Sequence, residues 1–365
     1  MTKHAAICLA ALLAGCGAEA PLRPRPVPIS DERPEIGPVP GGSAKECVCG
    51  NEPGCKPCPA APAASTATPV ATGAPPKPAA FPPPAVKPPV ERTKAPGDGE
   101  WKPVAIHKAA GADSPIYRTV IHPHKIRPFV VVEIVAVDLS RLQMELVAGT
   151  QEPEGTTVPV EKRAGLVPAA DQPSLVAVTN GGFKKRHGGH GIGIGSDVMH
   201  APTPEFCTFA KTRSGGYRVG TWSSMSGDQK DLAWFRQTPP CLVEGGVKHP
   251  DLAHEHKAKK WAGAEDGNKE IRRSAVGVGA DPGILYFAIA DYATAEWLTD
   301  GLIAAGITAA AELDINYSYT RFIVYEHESG GELRSTSPLL KDLKAPRKEY
   351  WKEPSERDFF YLRYR

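Results

Sequence analysis

The sequence predicts an α+β fold with more strand than helix, its strands mixed or antiparallel, in a single globular domain that follows a disordered tether. Three observations predict it. Of 38 prolines in 365 residues, 21 lie between residues 17 and 100. A segment so rich in Pro and Ala loses backbone donors and carries few large apolar residues with which to build a core. Short apolar, β-branched runs then recur through residues 101–365, and only Thr294 to Ala305 has a clear helical period.

The chain begins with a basic start, Lys3 and His4, followed by an apolar stretch from Ala5 to Ala14 and then Gly15-Cys16. That stretch is about half the roughly 20 apolar residues a spanning helix needs, so it reads as a signal peptide over 1–15. Its ending resembles the bacterial lipobox, which implies lipidation at Cys16, a membrane partner through that anchor, and the cell envelope, with the outer membrane favoured by Gly17. Residues 16–100 form the expected tether, with polyproline stretches such as Phe81-Pro82-Pro83-Pro84 that favour extension. Four cysteines between 47 and 58, Cys47, Cys49, Cys55 and Cys58, suit a small disulfide knot in an oxidising compartment; a zinc knot or free thiols are the alternatives. Cys207 and Cys241 either pair with each other or stay free. Net charge is +2, with basic and acidic residues interspersed, which excludes nucleic acid as an expected ligand.

In the domain, the runs Phe129–Leu139, Leu142–Ala148, Leu175–Thr179, Ser274–Gly279, Ile284–Ala290, Ala309–Leu313 and Phe322–Tyr325 predict strands. Trp297, Leu298, Leu302 and Ile303 predict one crossing helix, capped by Gly306. Gly- and Pro-rich stretches at 186–204 and 212–250 read as long loops, residues 341–358 as a solvated surface, and Phe359–Leu362 as a closing strand.

Four ordered segments between about 130 and 325 resemble the phosphodiester glycosidase family. They are Ala177-Val178-Thr179-Asn180-Gly181-Gly182-Phe183, Arg273-Ser274-Ala275-Val276-Gly277, Ile289-Ala290-Asp291 and Ala310-Ala311-Glu312-Leu313-Asp314. The resemblance implies hydrolysis of a sugar-1-phosphodiester or related linkage in a surface glycan. The family's glycines after the last aspartate are replaced here by Ile315-Asn316-Tyr317-Ser318, and Lys184 replaces an aromatic residue.

That chemistry needs an anchor for an anionic phosphate and carboxyl groups near the anomeric carbon. Arg273 is the expected phosphate clamp, because a guanidinium offers a planar fork of donors; adjacent Arg272 takes the role if the register slips. Asp314 and Asp291 are the candidate carboxylates, with interchangeable roles. Asn180 either aims its amide at a sugar hydroxyl or satisfies its own turn, and Gly181 and Gly182 either let backbone approach the ligand or permit positive φ. Asn316 and Tyr317 line the replaced loop, Tyr317 and Tyr319 being candidate sugar-stacking rings. His187, in a glycine-rich loop with His190, is a candidate general acid. The pairs His122/His124, His187/His190 and His254/His256 have spacings a divalent metal could use, but no ligand set or cofactor is assigned. The competing function classes are a non-catalytic glycan-binding domain and a structural envelope lipoprotein. Oligomeric state is not readable.

Overall fold

The computed structural model describes residues 76–261, 270–338 and 349–365. The signal peptide, the lipidation site at Cys16 and the cysteine cluster at 47–58 lie outside the described residues.

The fold is strand-rich and antiparallel. Its largest sheet has eight strands in the order Lys102–Pro103, Ile116–Ile121, Val131–Asp138, Ile284–Ala293, Ile271–Gly279, Ile307–Glu312, Val243–Glu244 and Val247–Lys248. A second sheet orders Asp197–His200, Ile192–Ile194, Leu232–Thr238, Cys207–Thr212 and Tyr217–Thr221. A third orders Leu333–Pro338, Phe322–His327, Leu175–Asn180, Phe359–Tyr364 and Leu142–Val147.

The near-continuous apolar runs follow from burial of the large sheet on both faces. Val135, Val137, Val276, Leu285, Phe287 and Ile289 project from one face into a core shared with residues of the other two sheets, such as Phe209, Trp234 and Phe360. Val132, Ile134, Ala275, Ala288 and Ala290 project from the other face, under the helix Ala295–Ala304. The Thr294 side chain caps that helix by accepting from Trp297 N at 3.2 Å, a contribution of about 1 kcal/mol. Leu298 and Leu302 face the sheet and are buried, each contributing about 1.5–3 kcal/mol by burial. Gly301 lies so close to Val132 that a Cβ there would sit 3.0 Å from its side chain.

Two stretches differ from expectation. The stretches 186–204 and 212–250 hold four of the five strands of the second sheet as well as the short strands Val243–Glu244 and Val247–Lys248. These strands are two to seven residues long and are broken by turns, so glycine and proline dominate the local composition. The globular body also begins before Trp101. Val86 is buried and donates its N–H to Gly99 O, Trp101 Nε1 donates to Pro84 O at 2.9 Å, and Phe81 packs edge-on against Tyr117. Residues 76–100 thus cover the helix side of the sheet, where proline's rigidity suits a fixed, extended cover.

Cys207 and Cys241 form a disulfide that joins the second sheet to the segment before Val243–Glu244. The bond closes a loop across a sequence separation of 34. Replacing both cysteines with alanine should lower stability by about 2–4 kcal/mol, chiefly by freeing the unfolded chain. Urea unfolding of the double variant, with and without reductant, checks this; an unchanged midpoint would contradict it.

Candidate active site

The strand Leu175–Asn180 delivers Asn180 into the interior, fully buried, at the junction of the sheets. Its Nδ2 donates to Ser274 Oγ at 2.9 Å and to Gly181 O at 3.1 Å, while its Oδ1 accepts from Arg321 N at 3.0 Å. Ser274 Oγ in turn donates to Asp314 O at 2.8 Å, and Asp314 N donates to Gly181 O at 3.1 Å. Residues 180, 274 and 314, far apart in sequence, are therefore stitched into one hydrogen-bonded unit. Asn180 is committed to that unit and is not aimed at a ligand.

Gly181 and Gly182 have no positive φ, so conformational freedom does not explain them. Close approach does. A Cβ on Gly181 would sit 2.3 Å from Asp358 O, and one on Gly182 would sit 2.7 Å from the Arg236 guanidinium carbon. What the glycines admit is the protein's own buried ion pair, Arg236 Nε to Asp358 Oδ2 at 2.8 Å, with Gly182 N donating to the same oxygen at 2.9 Å.

Asp314 is buried and ion-paired with Arg357, and its Oδ1 accepts from Asn316 N at 2.7 Å. Burial works against the charge of Arg357, but Asp314 beside it holds its pKa above the ordinary arginine value. Arg357 also donates to Gly182 O at 3.2 Å and lies 4.0 Å from the Tyr319 ring centre. Tyr319 is buried, with its hydroxyl on Asp358 O, so it packs and does not stack on a ligand. Arg357 and Asp358 come from the stretch read as a solvated surface. The structure corrects that expectation, because both side chains fill the junction beneath the Gly181–Gly182 turn.

Side-chain alternation separates the two neighbouring arginines. Arg273 points to the helix side, where it is fully buried. It donates to Ala293 O at 2.9 Å and Trp261 O at 2.8 Å, and pairs with Glu312 at 2.7 Å. Burial pushes the Glu312 carboxyl up to about 7, against the pull of Arg273. A guanidinium so enclosed holds the core together and cannot clamp a substrate. Arg272 points to the opposite face, that of Ser274. Its Nη2 lies 2.8 Å from Asp291 Oδ2, its Nη1 donates to Tyr317 O at 3.3 Å, and its guanidinium lies 3.8 Å from the Tyr317 ring centre. Asp291 is one-fifth exposed and Tyr317 is 42% exposed. The cluster is a partly exposed carboxylate and an exposed ring over a buried guanidinium, the Arg272 side chain being 2% exposed.

Asn316 anchors its own loop, its Oδ1 accepting from Ser318 N and Oγ at 2.9 and 2.7 Å. His187 sits in the turn Lys185–His187, where its Nε2 accepts from Arg186 Nε at 3.4 Å. It is not among the residues joined to Asp314, Asp291 or Arg272 by the bonds above. His190 is the buried histidine of that loop, packed between Phe183 and Phe206, and burial, with Arg236 and His187 nearby, lowers its pKa to about 3. Among the described residues, no group of three or more His, Cys, Asp or Glu side chains is arranged to hold a metal ion.

A cleft of about 290 Å³ opens on the large sheet, lined by Gly97, Asp98, Lys102, Arg118, His122 and Glu133 among others. His122 Nδ1 lies 2.9 Å from both Asp98 carboxylate oxygens, and Arg118 Nη1 lies 3.1 Å from Glu133 Oε1. Sequence reasoning passed over Glu133. Its signal was a lone glutamate inside the apolar run Phe129–Leu139.

No family model matches the chain, and no curated protein sequence matches it. Among solved structures it is similar to the catalytic domain of zebrafish N-acetylglucosamine-1-phosphodiester alpha-N-acetylglucosaminidase, auto-inhibited by its pro-peptide. That likeness has 15% identity over 72% of this chain and 87% of the other, with a TM-score of 0.45. A hypothetical protein from Synechocystis is similar at 12% identity over 69% of this chain and 62% of the other, with a TM-score of 0.37. At these values the likenesses assign neither a family nor an activity.

Proposed function

We propose that this protein is an envelope-anchored hydrolase of a sugar-1-phosphodiester or related glycosidic linkage, with Arg272 binding the phosphate and Asp291 serving as an acid–base carboxylate. One observation supports the reading above others. The four motif segments meet at one end of the large sheet, through the links Asn180–Ser274–Asp314–Gly181 and the pair Arg272–Asp291. Arg272 carries a planar donor fork next to an accessible carboxylate, the combination that anchoring and cleaving an anionic glycoside requires. In this reading Asp314 and Arg357 hold the Gly181–Gly182 turn and do not touch substrate. Anchoring at Cys16 would set the enzyme against envelope glycans, at the reach of the tether.

A binding role without turnover is favoured by a different observation, the Tyr317 ring resting on Arg272, since an exposed ring on a cation is a ready stacking platform for a sugar. One assay separates the two. The protein, Arg272→Ala and Arg272→Lys are tested for turnover and binding on a panel of chromogenic sugar-1-phosphodiesters, with and without divalent metal. Turnover by the parent protein, lost in the alanine variant and weakened in the lysine variant while both remain folded, is expected. Saturable binding without turnover would replace the hydrolase reading with the binding one.

A further inference from the structure

Glu133 lies in the strand Val131–Asp138, opposite Ile289 on one side and Val120 on the other. Asp291 lies opposite Val131 on the same neighbouring strand as Ile289. Paired residues of an antiparallel sheet share a face, and positions two apart along a strand share it too. Glu133 and Asp291 therefore project from one face as diagonal neighbours, about 7–8 Å apart along the backbone, with Glu133 turned to Arg118 and Asp291 to Arg272. Arg118, opposite Val135, and Lys102, opposite Arg118, stand on that face as well. The cleft described above opens onto it. Glu133 is thus a carboxyl at the wall of an open cavity, beside the accessible carboxylate of the proposed site, in a strand otherwise built for an apolar interior.

We infer that Glu133 is the proton donor of the hydrolytic site and that Asp291 is its partner base. The inference rests on the hydrolase reading and supplies the second carboxylate that Asp314, tied to Arg357, does not. In the step, the Glu133 proton goes to the bridging oxygen as the bond from the anomeric carbon to that oxygen breaks and its electron pair stays with the oxygen. A water oxygen bonds to the anomeric carbon, and its proton goes to Asp291. The products are a free sugar and a phosphomonoester, and exchange of one proton each with solvent resets the two carboxyls.

The groups around Glu133 suit this division. Burial raises its pKa to about 7, opposed by the Arg118 charge and hydrogen bond. Lys102 and the His122–Asp98 pair face it from the cleft, Glu100 lies at the cleft rim, and Asp291 beyond Ile289 is held by Arg272. Glu133 can thus carry its proton close to neutrality, as a proton donor there requires.

The test is the pH–rate profile of the parent protein and Glu133→Gln, on a sugar-1-phosphodiester and on an aryl glycoside of the same sugar whose leaving group departs without a proton. The rate of the parent protein should fall as pH rises through about 7. The glutamine variant should lose that limb, drop in kcat by about 10²–10⁴ on the phosphodiester with KM little changed, and keep more of its rate on the activated aryl substrate. Circular dichroism confirms that the variant is folded, and Glu133→Asp, which keeps the titrating group, should retain the limb. Equal losses on both substrates, or a variant within tenfold of the parent protein that keeps the alkaline limb, would overturn the inference and leave the hydrolase reading intact. A parent protein inert on every substrate overturns both.

Discussion

Arg273→Ala should destabilise the protein by about 3–5 kcal/mol, while leaving the proposed substrate cluster chemically whole. Removing one partner of a buried ion pair leaves an uncompensated charge in a low-dielectric interior. Here that charge is Glu312, itself fully buried, and the carbonyls of Trp261 and Ala293 lose their donor at the same time. The loss should grow with pH, and the sign follows from linkage. Glu312 has its folded pKa raised from 4.5 to about 7, so between those values folding takes up a proton and rising pH weakens the fold through this group. Without Arg273 the folded pKa moves higher still and the same weakening continues above pH 7. Urea unfolding at pH 5.5 and pH 8 should therefore give a wider gap between Arg273→Ala and the parent protein at the higher pH. Replacing both partners with apolar residues, Arg273→Met with Glu312→Leu, should recover much of the loss, because no buried charge is left alone. A single variant within about 1 kcal/mol of the parent protein would mean that the pair contributes little and would return Arg273 to candidacy as a ligand.

This pair also marks how far the residues could be read without coordinates. The apolar runs identified most central strands and the one long helix, because burial on both faces leaves a strong local signature. Two consecutive arginines on a strand must face opposite ways, yet alternation alone does not say which faces the ligand. That choice depends on the irregularity between Ile271 and Arg273, where the pairing register shifts, and no local signal announces it. The segments carrying Ser274, Asp291 and Asp314 follow one another in motif order, and the links Ser274–Asp314 and Arg272–Asp291, across 40 and 19 residues, join neighbouring strands. Arg357 and Asp358 were not legible, since a charged segment near the chain end looks solvated until distant glycines make room for it. Glu133 was legible in principle, as an ionisable residue where the pattern demands an apolar one.

Asp358→Ala should match Arg273→Ala in size, about 3–5 kcal/mol, but by opening the site instead of the helix side of the core. Three segments converge on this carboxylate: Arg236 from the strand Leu232–Thr238, Gly182 just beyond Leu175–Asn180, and the chain entering Phe359–Tyr364. Its loss leaves the Arg236 guanidinium buried, with only the carbonyls of Phe183 and Gln237 as acceptors, at 2.5 and 2.9 Å. The Gly182 N–H loses its acceptor as well. Asp358→Asn keeps a carbonyl oxygen for one of those donors and should lose about half as much, since a neutral acceptor replaces a charge-assisted one. Unfolding midpoints rank the variants, and amide exchange at Gly182 locates the effect, because local opening should speed exchange there before global unfolding does. Exchange at Gly182 unchanged in a destabilised Asp358→Ala protein would mean that the turn is held from the Asn180 side alone. Faster exchange would mean that the glycines serve the proposed site by admitting the ion pair that fixes their backbone, with Asp314 and Arg357 aligned as a consequence.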